Sequence, residues 1–360
     1  ALLQGTGIPA KILAGSAVAG FGGHSTLSLG DKYFVAETCE YRKHFLAFHP
    51  RRIILTSVES DHQDFFPTFE SIRDAFAEYG RRLPAGGELV YCADDPGASE
   101  VAAVLKGEDR GIRFIPYGFS AEGEYRVNSC GVENGRLVFT IAGFPGELKM
   151  RVPGRHQALN AAAALALCSL LVEKEFGGWD EKNRENARRA LENFSGSKRR
   201  SEIIGEAGGV LFMDDYGHHP AAIKTTLEGL RAFYPRRRLV VSFMPHTYTR
   251  TAALLDEFAS SFSDAGLLVL HKIYASAREN YSGGVTGRTL FEKVKGPGAS
   301  SGEGDGRVFY AEEPLDALDL LKKMLKPGDL FITLGAGNNW PLGIELYRYF
   351  KTADAEGGPE

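Results

Sequence analysis

The sequence alternates short apolar runs with segments of helical periodicity, and this alternation limits the possible folds more than any other feature. Ile53–Thr56 and Leu89–Cys92 are apolar enough to be buried strands. Between them Phe69, Ile72 and Phe76 recur at three- and four-residue steps, which predicts a helix ending near Gly80. A strand, a helix and a strand in this order predict a parallel sheet covered by helices.

The second half of the chain repeats the alternation and predicts a second open α/β sheet. Its predicted strands are Val210–Met213, Leu239–Phe243, Leu267–His271 and Leu330–Leu334. Helical patterns separate them. One places Ile223, Leu227, Leu230 and Phe233 on one face, and the others lie around Ala252–Ser263 and Pro314–Met324. We place a domain boundary in the Ser195-Gly196-Ser197 stretch, so that the predicted domains are 1–197 and 198–360.

Between the two sheets the rhythm changes. From Tyr125 to Val152 alternating segments are interrupted by Asn134-Gly135 and by Phe144-Pro145-Gly146, which predicts turns and a small antiparallel meander. Asn160–Lys174, rich in Ala and Leu, predicts a helix. The Gly/Ser-rich stretch 296–306 predicts a mobile loop.

Composition excludes several classes of function. Of the 360 residues 43% are apolar, 42 are Lys or Arg and 46 are Asp or Glu. The formal net charge of −4 leaves no excess of positive charge to neutralise a nucleic acid or an anionic membrane surface, so we expect neither partner. The four cysteines form no Cys-x-x-Cys pair, which favours a reducing, cytoplasmic location over a disulfide framework or a zinc site.

Polar residues follow the predicted strands closely, and open parallel sheets bind ligands at the carboxyl ends of their strands. In the second half four strands lead into such strings, which we expect to meet at one edge: 214–220, 244–250, 272–279 and 335–339. In the first half one strand ends at Glu37 and another leads to His62. If these strand ends were neighbours, the two side chains could hold a hard cation.

Each of these residues also has an ordinary structural explanation. Asp215 could only cap the helix that begins near Pro220. His218 and His219 are adjacent, so their side chains point in different directions and do not form a zinc pair. Arg250 and Arg278 could be surface charges, although a guanidinium after a strand end suits a carboxylate or phosphate.

Taken together, the strings resemble the Mur ligases of peptidoglycan synthesis over nearly the whole chain. The matching segments are 35–37, 55–62, 154–163, 198–200, 214–220, 245–251 and 335–337. The resemblance implies an incomplete central ATP-binding α/β domain with a small antiparallel meander, followed by a Rossmann-like C-terminal α/β domain. It also implies an ATP-dependent ligase that activates the lactyl carboxylate of UDP-N-acetylmuramate as an acyl phosphate, which the amine of L-alanine then attacks.

The resemblance assigns roles to individual residues. Glu37 and His62 match the family's metal-binding pair for Mg²⁺, which Mn²⁺ could replace. Asn160, Arg200 and Asp215, with Tyr216 beside it, match nucleotide-binding positions, and the nucleotide would lie between the domains. The resemblance also gives catalytic roles to His219, His246 and Arg250, which fall in the motifs around the acceptor and the muramyl end of the substrate.

The sequence also departs from the family pattern. Gln157 and Ser57 stand where the family usually has asparagine, and both keep a hydrogen-bonding side chain. The phosphate loop ending in Gly-Lys-Thr does not occur in these 360 residues. Because Ala1–Gly15 resembles the end of the helix that follows that loop, we expect a fragment cut just downstream of it, with little or no activity alone.

Two other functions remain open. A sister ligase attaches an intact murein tripeptide to the same nucleotide sugar, and Phe65-Phe66-Pro67 is similar to that enzyme. A non-catalytic descendant could retain both α/β domains as a nucleotide- or partner-binding module.

Overall fold

The computed structural model describes residues 1–62, 65–276, 279, 283–295 and 307–355. These residues form two compact units, Ala1–Ser195 and Gly196–Glu360. The boundary that we predicted between two Mur ligase domains, after Ser197, stays a prediction. Arg278 and the stretch 296–306 lie outside the described residues. No helix in the described part of the chain combines the length and the apolar character needed to cross a membrane.

The first unit contains three small sheets and five α-helices within the described residues. Its strands are β1 Ala10–Val18, β2 His24–Ser28, β3 Tyr33–Ala36, β4 Arg52–Leu55, β5 Glu88–Cys92, β6 Arg113–Tyr117, β7 Val127–Glu133, β8 Arg136–Ile141 and β9 Phe144–Met150. Its helices are α1 Leu2–Thr6, α2 Phe69–Gly80, α3 Pro96–Gly107, α4 His156–Phe176 and α5 Glu181–Glu192, with 3₁₀ turns at Ala19–Phe21 and Tyr41–Ala47. The strand orders are β2-β1-β3, β4-β5-β6 and β7-β8-β9.

The second unit is built on one six-stranded sheet. Its strands are β10 Glu202–Ala207, β11 Val210–Asp215, β12 Arg238–Phe243, β13 Leu267–Leu270, β14 Val308–Tyr310 and β15 Asp329–Leu334, in the order β10-β11-β15-β12-β13-β14. Its helices are α6 Pro220–Phe233, α7 Tyr248–Ala253, α8 Leu255–Ser260, α9 Gly287–Lys295, α10 Leu318–Met324 and α11 Trp340–Ala355, with a 3₁₀ turn at Pro314–Ala317. All neighbours pair in parallel except the antiparallel pair β10–β11. The predicted α/β class is confirmed.

The predicted strand–helix–strand unit of the first half forms as β4, α2 and β5. Thr68 caps α2, since its hydroxyl accepts a hydrogen bond from the backbone N–H of Ser71. Ile72 is buried on the inner face of α2, and β4 pairs with β5 in parallel with Ile53 opposite Leu89. The helical spacing in the sequence therefore places the correct face of α2 against the core.

The N-terminal segment differs from the sequence expectation. α1 ends at Thr6, Gly7 follows in the left-handed conformation with φ 72°, and Ala10–Val18 is a strand rather than the end of a helix. Pro9 has no N–H to continue a helix, and Gly7 is the residue type that best tolerates a positive φ at a helix end. The expectation that Ala1–Gly15 is a helix end is correct only as far as Thr6.

The antiparallel meander forms as predicted, with one turn misplaced. Asn134 and Gly135 have φ of 51° and 69° and connect β7 to β8. Phe144-Pro145-Gly146 is not a turn, because it opens strand β9. Proline is tolerated there because β9 is an edge strand, whose outward N–H groups need no partner within the sheet.

Residues of the central sheet in the second unit alternate between two cores. On β11, Leu211 and Met213 join one buried cluster, whereas Val210 and Phe212 join the cluster on the opposite face. This is the two-residue period of a strand covered on both sides. The helices therefore fix the sheet from both faces, and polar side chains are left for its edges and strand ends.

One buried polar residue links three strands of this sheet. His271 is completely buried, its Nε2 is 2.8 Å from the Ser242 hydroxyl, and its Nδ1 is 3.0 Å from the carbonyl oxygen of Ala311. The Ala311 carbonyl can only accept, so Nδ1 donates and Nε2 accepts from Ser242. Burial lowers the pKa of His271 to about 4. The neutral ring is therefore the form that the fold requires.

We predict that the stability of the protein falls on acidification because of His271. Between about pH 6.5 and pH 4 the unfolded chain binds a proton at this residue that the folded chain does not, at about 1.4 kcal/mol per pH unit. Urea unfolding of wild type and His271→Gln at several pH values measures this. The slope of unfolding free energy against pH should be smaller in the variant by that amount, and equal slopes would contradict the prediction.

Candidate functional site

The carboxyl ends of four parallel strands meet at one edge of the sheet in the second unit. The loops that follow β11, β12, β13 and β15 are joined by backbone hydrogen bonds: Gly335 N to Asp215 O at 3.1 Å, Met244 N to Leu334 O at 3.1 Å and Tyr274 N to Pro245 O at 2.8 Å. The convergence expected from the sequence is confirmed. This edge is the location at which open α/β sheets bind ligands.

Asp215 lies at the end of β11 and is 5% exposed. Its Oδ2 accepts hydrogen bonds from the backbone N–H of Ser201 at 2.7 Å and from the Ser201 hydroxyl at 3.2 Å. Its Oδ1 accepts from the N–H of Gly217 at 2.7 Å. Burial raises the pKa of Asp215, and the bonds from Gly217 and Ser201 oppose that rise. The side chain is a fixed acceptor at the strand end.

The helix cap that Asp215 could have supplied is provided by another residue. His219 is the N-cap of α6, and its Nδ1 accepts from the N–H of Ala221 at 3.4 Å. Asp215 is thus not a helix cap. His218 points elsewhere, with Nδ1 3.0 Å from the carbonyl oxygen of Tyr216, so the adjacent histidines do separate as expected.

Two arginines lie against the Tyr216 ring. The guanidinium carbons of Arg199 and Arg200 are 5.2 Å and 5.5 Å from its centroid. These distances are within the range of cation–π attraction. Arg200 thus brings positive charge next to Asp215, whereas the charge of Arg199 is paired with Asp214 at 2.8 Å.

The loop after β12 groups His246 and Arg250. The His246 ring lies 5.9 Å from the Tyr274 ring and 6.1 Å from the His218 ring. Arg250, on α7, is 8% exposed, and one of its guanidinium nitrogens donates to the His246 carbonyl oxygen at 3.0 Å. Thr247 between them has φ 60°, a strained conformation for a β-branched residue.

Glu279 fixes the start of α7. Its carboxylate accepts from the backbone N–H groups of Tyr248 at 3.0 Å and Thr249 at 2.7 Å, and from the Thr249 hydroxyl at 2.8 Å. Burial alone would raise the pKa of Glu279, but these hydrogen bonds leave it lowered overall. The ionised carboxylate thus completes the helix start that carries Arg250.

In the first unit the two proposed metal-binding residues follow strands of different sheets. Glu37 comes directly after β3, which pairs with β1, and its Oε2 accepts from the N–H of Gly15 at 2.7 Å. His62 follows β4, which pairs with β5, and its Nε2 is 3.2 Å from Glu40 Oε1. β3 and β4 therefore do not pair with each other in the described sheets, and the joint metal-binding role of Glu37 and His62 stays a prediction.

The carboxylate of Glu37 suits magnesium, whereas the imidazole of His62 is a less usual ligand for this ion. Mg²⁺ is usually bound by one or two carboxylates together with water and substrate phosphates, and Glu37 supplies such a carboxylate. Metal-binding imidazoles are commonly oriented by a carboxylate on the other ring nitrogen, as Glu40 orients His62. No cluster of three or more His, Cys, Asp or Glu side chains that could hold a metal occurs among the described residues. The donors thus fit an ion held mainly by phosphate and water.

Asn160 lies on the exposed side of α4. The helix begins at His156, so Asn160 is four residues inside it and not at its start. At the actual start, Gln157 Nε2 is 3.1 Å from His156 Nε2. The nucleotide-binding role of Asn160 stays a prediction.

Two family models match the chain. Residues 24–168 match the Mur ligase middle domain, and residues 199–337 match the Mur ligase, glutamate ligase domain. The chain belongs to the Mur ligase family. The resemblance inferred from its sequence strings is confirmed.

Individual relatives are similar over most of the chain. The UDP-N-acetylmuramate–L-alanine ligase of Treponema pallidum is 50% identical over 344 residues, which cover 96% of this chain and 70% of the relative. Among solved structures, UDP-N-acetylmuramate-alanine ligase MurC from Thermotoga maritima has a TM-score of 0.72 at 21% identity, covering 98% of this chain and 71% of that chain. The MurF ligase from Thermotoga maritima in complex with ADP has a TM-score of 0.69 at 17% identity, with coverages of 98% and 76%.

Sequence reasoning missed two side chains that organise these sites. Arg199 was quoted only as part of a matching string, and Glu40 was not singled out. Arg199 has φ 58°, which no sequence pattern for arginine predicts. Glu40 could have been found as a carboxylate three residues after Glu37, although its pairing with His62 is a long-range contact.

We predict that Asp215→Asn destabilises the protein by about 2 kcal/mol, because an amide nitrogen would then face a buried N–H donor. Urea unfolding at pH 7 measures the difference. Asp319→Asn is the control: Asp319 is 86% exposed and pairs at the surface with Lys322, so its loss should change stability by less than about 0.5 kcal/mol. Equal effects of the two variants would disprove the role of Asp215 as a buried acceptor.

Proposed function

We propose that the chain carries nucleotide- and acceptor-binding residues of an ATP-dependent ligase that joins L-alanine to UDP-N-acetylmuramate. The observation that carries this proposal is the 50% identity, over 96% of the chain, to a relative named UDP-N-acetylmuramate–L-alanine ligase. The ADP complex of the structurally similar MurF ligase supports an adenine nucleotide as the energy source. The reaction as proposed takes place in the cytoplasm.

The reaction has two steps. A carboxylate oxygen of UDP-N-acetylmuramate attacks the γ-phosphorus of ATP, ADP leaves, and an acyl phosphate forms. The amine of L-alanine then attacks the acyl carbon, inorganic phosphate leaves, and the amine loses a proton. Because phosphoryl transfer depends mainly on positioning and on neutralising negative charge, the protein must supply cations and fixed donors.

The nucleotide is proposed to contact Asp215, Tyr216, Arg200 and Asn160. A carboxylate offers about four lone-pair positions, and three donors already point at Asp215, so one position remains for a ribose hydroxyl. The Arg200 guanidinium beside the Tyr216 ring supplies positive charge next to that acceptor. Asn160, exposed on α4, is proposed to read the adenine through its side-chain amide.

Three residues at the sheet edge are proposed to act at the reacting end. Arg250 carries a permanent positive charge in a mostly buried setting, where its attraction for an acyl phosphate is screened less than in water. His246 and His219 lie on the loops after β12 and β11 and can donate to, or accept from, the substrates. The Glu279 carboxylate keeps the α7 start, and with it Arg250, in place.

Glu37 and His62 are proposed to hold Mg²⁺, with Mn²⁺ as an alternative. When bound, the ion neutralises charge on the transferred phosphoryl group. Glu40 orients the His62 ring through Nε2. In the Phe65-Phe66-Pro67 string, which is similar to the tripeptide ligase, Phe66 is 3% exposed and belongs to the hydrophobic core, whereas Phe65 is 40% exposed.

The substrate assignment is tested by phosphate release from ATP with UDP-N-acetylmuramate and either L-alanine or the murein tripeptide. The 360-residue chain should be inactive, because it contains no Gly-Lys-Thr phosphate loop. The chain extended by its native upstream coding sequence should release phosphate only with L-alanine. Dependence on the tripeptide would replace the proposal by the sister ligase, and no release with either acceptor would favour a binding module.

We predict that Glu37→Gln weakens Mn²⁺ binding about tenfold in the presence of ATP, since it removes a charged oxygen ligand. Electron paramagnetic resonance of free Mn²⁺ measures the affinity without requiring turnover. Glu147→Gln, which removes a 57% exposed carboxylate from β9, is the matched control and should leave the affinity unchanged. An unchanged affinity in Glu37→Gln would exclude this residue as a ligand.

A further inference from the structure

Arg199 connects two strand ends of the candidate site. Its Nε donates to Asp214 Oδ2 at 2.8 Å, and one of its terminal nitrogens donates to the carbonyl oxygens of Gly335 at 2.7 Å and Gly337 at 3.3 Å. Asp214 is in β11, whereas Gly335 and Gly337 are in the loop after β15. The planar guanidinium can bond to all three because its donors are arranged as a rigid fork.

The Arg199 carbonyl oxygen and Ser201 hold two of the residues proposed to bind the nucleotide, Tyr216 and Asp215. The carbonyl oxygen of Arg199 accepts from the N–H of Tyr216 at 2.7 Å, and Ser201 donates twice to Asp215. Arg199 and Ser201 have φ of 58° and 48°. Left-handed conformations in two such residues cost free energy and persist only when the surroundings fix them, as these bonds do.

The loop held by Arg199 packs closely against the loops after β12 and β13. Gly335 has φ 130°, and a side chain there would collide with the carbonyl oxygen of Met244. A Cβ on Gly337 would lie 2.8 Å from Met244 Sδ and 3.0 Å from Tyr274 Cβ. A displacement of this loop is therefore passed on to the loops after β12 and β13, which carry His246 and Tyr274.

We infer that Arg199 is a positioning residue of the nucleotide site. It holds Tyr216, Asp215 and the Gly335–Gly337 loop in the arrangement that receives the ribose and phosphates of an adenine nucleotide. This inference rests on the proposed function, since it assigns Arg199 to the same site. Arg199 acts through its neighbours and not by contact with the reacting atoms.

The same unit contains a matched control for a purely structural arginine. Arg238 donates to both carboxylate oxygens of Asp329, at 3.0 Å and 2.7 Å, and to the carbonyl oxygen of Met324 at 2.8 Å. The side chains of Asp329 and Asp214 are both 5% exposed. Arg238 and Asp329, however, begin β12 and β15, at the opposite end of the sheet from the candidate site.

The test compares Arg199→Met with Arg238→Met, both made in the chain extended by its native upstream coding sequence, because these 360 residues contain no Gly-Lys-Thr phosphate loop. Each folded variant is titrated with a fluorescent ADP analogue. Loss of either arginine should lower the unfolding midpoint to a similar extent. Only Arg199→Met should weaken ADP binding, by about tenfold, while Arg238→Met should stay within about twofold of wild type. Arg199→Lys, which keeps a positive partner for Asp214 but lacks the fork, should fold and bind with intermediate affinity.

Hydrogen exchange gives a second reading that does not depend on the nucleotide. The amides of residues 335–339 should exchange faster in Arg199→Met and in Arg199→Lys, but not in Arg238→Met. Wild-type affinity for ADP in the Arg199 variants, or unchanged amide exchange in residues 335–339, would overturn the inference about Arg199. Either result would leave the proposed nucleotide site standing. A wild-type chain that binds no ADP would overturn the proposed nucleotide site and the inference with it.

Discussion

Two consecutive carboxylates at the end of β11 are the constraint on which the site in the second unit depends. Successive residues of a strand point to opposite faces, so Asp214 and Asp215 must be satisfied by different partners. Asp214 accepts from Arg199 and from the Thr333 hydroxyl at 2.6 Å, whereas Asp215 accepts from Ser201 and Gly217. An unpaired buried carboxylate would cost several kcal/mol, so the chain before β10 and the loop after β15 must close around this strand end.

The sequence predicts the parts of this arrangement that depend on local pattern. The buried strands of the second unit are continuous apolar runs, and parallel pairing then requires their carboxyl ends to share an edge. The hairpin of β1 and β2 was missed, because its residues are only partly buried and it contains several glycines. The pairing of Glu40 with His62 was missed because it is a long-range contact between two loops of the first unit.

The least predictable features are those in which the backbone leaves its usual regions. Arg199, Ser201 and Thr247 all have positive φ, and none is a residue type that prefers it. Each lies beside a proposed substrate-binding residue. Arg199 and Ser201 are held by hydrogen bonds to β11 and to the loop after β15, whereas Thr247 is held by bonds from Arg250 and Thr251 in the helix that follows it. Sequence motifs identify such segments by their composition, but the strained geometry follows only from the surrounding fold.

The proline in strand β9 has a consequence for how the protein behaves among other molecules. Edge strands expose unpaired amides and carbonyls on which another chain can add a strand. At Pro145 there is no amide to offer, and the carbonyl oxygen already accepts a hydrogen bond from Arg188 at 2.7 Å. At this residue the edge of the meander therefore offers neither a backbone donor nor a vacant backbone acceptor to the strand of another molecule.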